Sequence, residues 1–189
     1  MIEDNVRRNF IRKIGLFTGL LFVGNNDILA TMKDVINMEG SILKASEGEI
    51  WFIGNERKAE VNIKISKTSE HSPEISLLTE KITFGDGIPV HKHLNEEEFI
   101  FIQKGRLEVT IGSEIQDAEP GDLIYVPRNS WHGFENKSNE EAIILFGYSP
   151  SGFEDYFRAI GTKSIGQNLG FTTDDWIRTN NKYGVVYRN

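Results

Sequence analysis

The sequence predicts an all-β fold, a jelly-roll β-barrel followed by a short C-terminal helical extension. Short apolar or alternating segments recur up to Tyr148, separated by Gly, Pro and Asn. Turn signals punctuate them. Lys104-Gly105 is one, and Glu119-Pro120-Gly121-Asp122 is another, with Pro and Gly at the central positions that suit a type II turn. Helix signals gather beyond Pro150.

The 189 residues are enough for one domain with a substantial core plus appendages, but not for two barrels. A hydrophobic share of 39% gives the chain enough apolar surface to fold rather than stay disordered. The net charge of -7 speaks against nucleic acid or an anionic membrane surface as a partner, because neutralising phosphates takes clustered Lys and Arg. The absence of cysteine excludes disulfides, thiolate ligands and Cys nucleophiles.

At the N-terminus Arg7-Arg8-Asn9-Phe10-Ile11-Arg12-Lys13 is basic, and Ile14 to Gly24 is an apolar run. That run is shorter than the roughly 20 residues a membrane span needs. It fits the basic and apolar parts of a secretory signal. Arg-Arg-x-Phe-Ile-Arg resembles a twin-arginine signal, which exports folded proteins. Residues 1–30 are therefore expected to be a removable signal, with Ile28-Leu29-Ala30 near the cleavage point, an exported, periplasmic product and no stable membrane span after processing. The other reading is an amphipathic helix of a cytoplasmic protein.

The barrel is expected over residues 31–149. Glu49 to Gly54 and Glu60 to Ile65 read as strands, the second alternating polar and apolar. Lys67 to Glu74 is a polar turn holding Pro73 and a solvated His71. Glu74 to Phe84 resumes as a strand and leads into the stretch Gly85 to Gly105. There His91 and His93 sit two apart, so on a strand both imidazoles face one way. Glu98 follows after a short turn. Two imidazoles and a carboxylate on one interior point are borderline ligands suited to Fe, Mn, Ni, Cu or Zn.

Strand phase then sorts the neighbours. With Glu98 inward, Ile100 and Ile102 also face in, and Phe99 and Phe101 face out. Two outward aromatics need cover, either from the chain's own N-terminal strands or from a second copy in a homodimer. Arg106 to Ile111 alternates, putting Leu107, Val109 and Ile111 in the core. Gly121 to Asn136 carries an apolar strand ending at Pro127, a turn, and His132; Glu141 to Tyr148 is the last long strand.

Residues 150–189 form the extension, expected to pack on the barrel. Ser151-Gly152-Phe153-Glu154 reads as a capping box opening a helix with an apolar stripe of Phe153, Tyr156, Phe157 and Ile160, stopped at Gly161. Thr173 to Gly184 reads as a second helix with acidic residues in its first turn, and Val185-Val186-Tyr187 as a strand.

The two stretches together resemble the paired motifs of the cupin family. Gly85, His91, His93, Glu98 and Gly105 meet the first motif, and Gly121, Pro127, His132 and Asn136 meet the second. Asn129 stands where the family usually has Gly, and Asn is the non-Gly residue that best tolerates the left-handed conformation a turn needs there. Three of the chain's four histidines fall at motif positions. The spacing to Gly105 selects Glu98 within the run Glu96-Glu97-Glu98, with Glu97 the fallback.

The single barrel with its Gly-Phe-Glu-x-x-Phe helix and Lys-Tyr-Gly-Val tail is similar to bacterial cupins related to quercetin 2,3-dioxygenase. That resemblance implies a divalent metal held by His91, His93, His132 and Glu98. Glu98 would also take the proton of a bound hydroxyl, and an enolic or phenolic small molecule would be the substrate. Phe134, two residues from His132, is expected to join Ile100, Ile102 and Val109 in an apolar wall. Two other function classes stay open at this point: a non-redox isomerase or lyase, which calls for a polar pocket, and a small-molecule-binding module without turnover.

Overall fold

A computed structural model describes residues 40–54, 59–69 and 74–188. The segment 1–30, including Phe17, Leu20 and Leu21, lies outside the described residues, as do His71 and Pro73. All elements below belong to the unit from Leu43 to Asn189.

Ten strands come before the first described helix: β1 (Glu49–Ile53), β2 (Ala59–Ile65), β3 (Ser76–Ile82), β4 (Gly87–His93), β5 (Glu97–Lys104), β6 (Leu107–Ile111), β7 (Glu114–Ala118), β8 (Leu123–Val126), β9 (His132–Glu135) and β10 (Ala142–Ser149). There follow α1 (Glu154–Ile160), β11 (Gly161–Thr162), α2 (Thr173–Tyr183) and β12 (Val185–Tyr187). The strands form two antiparallel sheets. One has seven strands in the order β11-β1-β2-β3-β10-β5-β8, the other five in the order β12-β4-β9-β6-β7. This is the jelly-roll arrangement expected from the sequence, with two sheets whose inner faces share one core.

Alternation along each strand decides which residues make that core. On β5, Glu98, Ile100 and Ile102 are buried while Phe101 is exposed. On β10, Ala142, Ile144, Phe146 and Tyr148 point the same way, opposite β5 partners in the order Ile144–Ile102, Phe146–Ile100 and Tyr148–Glu98. Leu107 and Val109 are buried on β6 as the period predicts; Ile111 is only half-buried.

Phe99 finds its cover close by. On the outer side of the sheet its ring lies over Gly147 on β10, where a Cβ would come within 2.5 Å of the ring. Gly105 ends β5 in a left-handed turn (φ 76°), and a Cβ there would meet the Ala142 backbone at 2.7 Å. Both the conformation and the space therefore require glycine. Asn129 has φ 63°, as anticipated for an Asn in the family's Gly position. The turn at Glu119–Asp122 closes with Asp122 N–H donating to Glu119 C=O at 3.0 Å.

The C-terminal segment departs from expectation in two places. The anticipated capping box of α1 does not form: Phe153 occupies the N-cap and makes no side-chain cap bond. The helix begins too late for Glu154 to occupy the third position that a capping box requires. Glu154 is instead fully buried and accepts the backbone N–H groups of Gly152 and Lys67, each at 2.7 Å. The segment also does more than pack on the barrel. β11 extends the seven-stranded sheet beside β1, and β12 adds to the five-stranded sheet beside β4. Helix α2 does carry a capping box, between Thr172 and Asp175, and ends at Gly184 in a left-handed conformation.

Candidate metal centre

His91 and His93 lie on β4, Glu98 on β5 and His132 at the start of β9, so the two sheets each supply part of one cluster. The register puts His132 directly opposite His91. Each of the four residues offers one ligand atom, and these atoms all lie within 4.8 Å of one another, with every side chain buried. Glu97, the fallback carboxylate, faces outward and accepts a hydrogen bond from Tyr125 Oη at 3.0 Å. The spacing to Gly105 therefore picks the residue that the strand phase turns inward.

The backbone orients the rings. His91 Nδ1 lies 2.9 Å from the Pro89 carbonyl and His132 Nδ1 lies 3.1 Å from the Ser130 carbonyl. A carbonyl only accepts, so both Nδ1 atoms carry the proton and each Nε2 is aimed at the centre. There, His91 Nε2 is 3.2 Å from His93 Nε2, while Glu98 Oε2 is 2.8 Å from His132 Nε2 and 3.3 Å from His93 Nε2. An ion bonded at about 2.1 Å to each ligand would hold neighbouring donors about 3.0–3.4 Å apart. The observed separations are close to that range, and the donor set is one that a divalent transition metal accepts. The cluster fits such an ion.

Electrostatics point the same way. Burial, helped by the neighbouring imidazoles, pushes His91 down to about 3, which keeps it neutral and available as a ligand. Burial also works against charge on His132, but the adjacent Glu98 carboxylate outweighs it and raises the imidazole above its ordinary value. Burial would raise Glu98 too, yet hydrogen bonds from His132 and His93 hold its carboxyl far below the usual range. The proton between His132 and Glu98 is one that a bound ion would displace.

The cluster opens into a cavity of about 340 Å³. Its barrel walls include Ile88, Phe134, Ile144 and Phe146, so the inward facing expected for Phe134 is observed. Tyr148, opposite Glu98, also lines it; burial and then the Glu98 charge push its hydroxyl well above the ordinary value, so it stays protonated. The far wall comes from the extension, with Phe153, Tyr156, Phe157 and Ile160 of the α1 region, Trp176 and Asn180 of α2, and Tyr187 of β12. The aromatic stripe of the first helix therefore faces the cavity. Phe153 meets the His93 ring edge-on at 4.4 Å between centroids. Glu80 is a buried carboxylate in the same wall; its place in the alternation of β3 is the only sequence signal that could have found it.

Residues 79–148 match the Cupin_2 family, described as a cupin domain. That region, less than half of the chain, is similar to the cupin domain. Two curated proteins are similar to part of this chain. A polyketide synthase, CurC, from Streptomyces cyaneus is 35% identical over 66 residues, 35% of this chain and 43% of that protein. An uncharacterized protein of Methanocaldococcus jannaschii is 35% identical over 81 residues, 42% of this chain and 65% of that protein. The chain thus spans less than two thirds of the length of either relative. Among solved structures, a predicted oxalate decarboxylase from Thermotoga maritima superposes on the chain with a TM-score of 0.54 at 21% identity, covering 58% of this chain and 99% of that one. At that identity the likeness speaks to the fold alone. Among the described residues, no helix is long and apolar enough to cross a membrane.

Proposed function

We propose that this chain is a metal-dependent cupin oxygenase of the quercetin 2,3-dioxygenase type, acting on an enolic or phenolic small molecule. The wall around the cluster carries this reading. Ile, Val, Phe and Tyr side chains dominate it, and among the described residues no Lys or Arg lines the cavity. A sugar phosphate or a small diacid carries more charge than one ion would offset, and would lose its hydration there without a Lys or Arg to help replace it. A flat aromatic with one acidic hydroxyl would lose little, and a cavity of about 340 Å³ lies within the range of small-molecule sites. The relative named a polyketide synthase supports the same substrate class, because polyketides are rich in enolisable carbonyls and phenols.

His91, His93, His132 and Glu98 would hold the ion. Three neutral imidazoles leave a divalent ion's charge largely intact, so it would bind the substrate oxyanion and, if redox-active, pass electrons to dioxygen. Glu98 takes the hydroxyl proton. It is a weak base while His132 and His93 donate to it, and a stronger one once the Nε2 lone pairs are turned to an ion instead. Tyr148, protonated beside Glu98, offers a hydrogen bond to the oxygen that gives up the proton. Phe153 and Phe157 pack against the substrate ring and exclude water. The enolate carbon is oxidised and dioxygen reduced, with both oxygen atoms ending in the product, so no external reductant is needed.

The test is oxygen uptake by metal-loaded protein with a panel of flavonols and small enols. Consumption matched to substrate is expected. Substrate conversion without oxygen uptake would favour the non-redox isomerase or lyase, and tight binding without conversion would favour the binding module. Export through the signal at residues 1–30 belongs to the same proposal. The intact mass of protein from its native host, short by that segment, would bear it out.

A further inference from the structure

We propose that Tyr156, Asn180 and Tyr187 form a second recognition point in the cavity, selecting substrates that carry a hydrogen-bonding oxygen one aromatic ring away from the oxygen at the His/Glu cluster. The inference rests on the enolic reading above and names the shape of the molecule that reading requires.

The three side chains come from three separate elements, α1, α2 and β12, and all line the cavity. Tyr156 Oη donates to Asn180 Oδ1 at 2.8 Å and lies 3.4 Å from Tyr187 Oη. Their position relative to the cluster follows from two chains of ring contacts. Tyr187 sits opposite His91 in the pairing of β12 with β4, and its ring is 5.6 Å from the His91 ring. On the other side, Phe153 lies 4.4 Å from His93 and 5.2 Å from Tyr156. One aromatic ring therefore separates the polar group from the cluster, and Phe153 offers a face or edge against which a substrate ring can pack.

The trio also has capacity to spare. The Asn180 amide carries two donors and an acceptor, and its only side-chain hydrogen bond among the described residues is the one with Tyr156. Whichever way the amide is turned, one of its polar atoms remains for a ligand. Burial raises the Tyr156 hydroxyl far above its ordinary value, so it stays a donor across the working pH range. A half-buried amide in an apolar wall discriminates well, because a ligand without a matching oxygen leaves it unpaired.

The experiment uses metal-loaded, full-length protein and two probes, 3-hydroxyflavone and 3,4′-dihydroxyflavone, which differ by one hydroxyl beyond a ring. Dissociation constants from fluorescence quenching should favour the dihydroxy compound about tenfold in the wild type, the effect of one hydrogen bond. In Tyr156→Phe and Asn180→Leu that ratio should fall to about one, with metal content retained. Should Asn180→Leu fail to fold, Tyr156→Phe alone decides, since it keeps the ring. Equal wild-type affinities would overturn the inference while leaving the enolic reading standing. A tenfold ratio surviving in the variants would also overturn it, and would mark the trio as a brace between α2 and the barrel. If the wild type bound neither flavonol, the enolic reading would fall and this inference with it.

Discussion

At the barrel end of the cavity, His91, His93, Glu98 and His132 project from β4, β5 and β9, with backbone carbonyls fixing two of the rings. At the opposite wall, Phe153, Tyr156, Trp176, Asn180 and Tyr187 arrive from elements that follow the barrel. The barrel end is polar, fully buried and set by strand register. The C-terminal wall is mostly aromatic, partly exposed and set by the packing of two helices and one short strand. Under the proposed function the two divide the labour: the barrel would supply the chemistry and the extension would decide what reaches it.

The comparison breaks first at His132. Replacing it with Ala removes one of the three imidazoles, and the expected outcome is loss of bound metal and of turnover together, read by elemental analysis and oxygen uptake. Glu98→Gln should separate the two properties. Three imidazoles remain to hold an ion, while turnover falls by roughly 10²–10⁴-fold for want of the proton acceptor. Glu97→Gln, one residue away and facing solvent, should leave turnover within twofold of wild type. Equal activity in all three proteins would remove Glu98 from the chemistry.

The same comparison explains what could be read from the sequence. The convergence of His91, His93, Glu98 and His132 was legible because two short motifs carry all four and a period of two fixes their facing; Glu98 over Glu97 is such a case. The C-terminal wall was not. An apolar stripe on α1 says that it is buried but not that a cavity lies beneath it, and Asn180 on polar α2 gives no signal at all. Likewise, the pairing of β12 with β4, which brings Tyr187 to His91, joins residues far apart in sequence. The failed capping box at Ser151 shows the limit of local pattern: Glu154 was claimed by two backbone N–H groups instead.

The C-terminal wall should show itself in stability more than in metal content. Phe153 is buried against His93, Tyr148, Tyr156 and Phe157. Phe153→Ala is expected to cost about 3 kcal/mol, the low end for such truncations because the cavity beside it is already open. Urea unfolding should register that loss while the metal stoichiometry stays at the wild-type value.

The smallest effect concerns Glu96, at the turn between the two motif strands. Burial pushes its carboxyl up to about 7 from an ordinary 4.5, only partly offset by Arg128. A group whose native pKa is raised stabilises the fold when protonated, so its contribution is complete below about 4.5 and is lost as pH rises through about 7. Wild type should therefore lose stability relative to Glu96→Gln across that window. A constant difference between the two proteins would show that Glu96 titrates normally.

The claim on which the rest depends is that four side chains hold one ion, and metal stoichiometry tests it most directly. Protein purified without chelator or added metal should carry one transition-metal ion per chain by elemental analysis, and His132→Ala should carry close to none. A folded wild type that binds no ion even when metal is supplied, or a His132→Ala variant that keeps a full complement, would contradict the account.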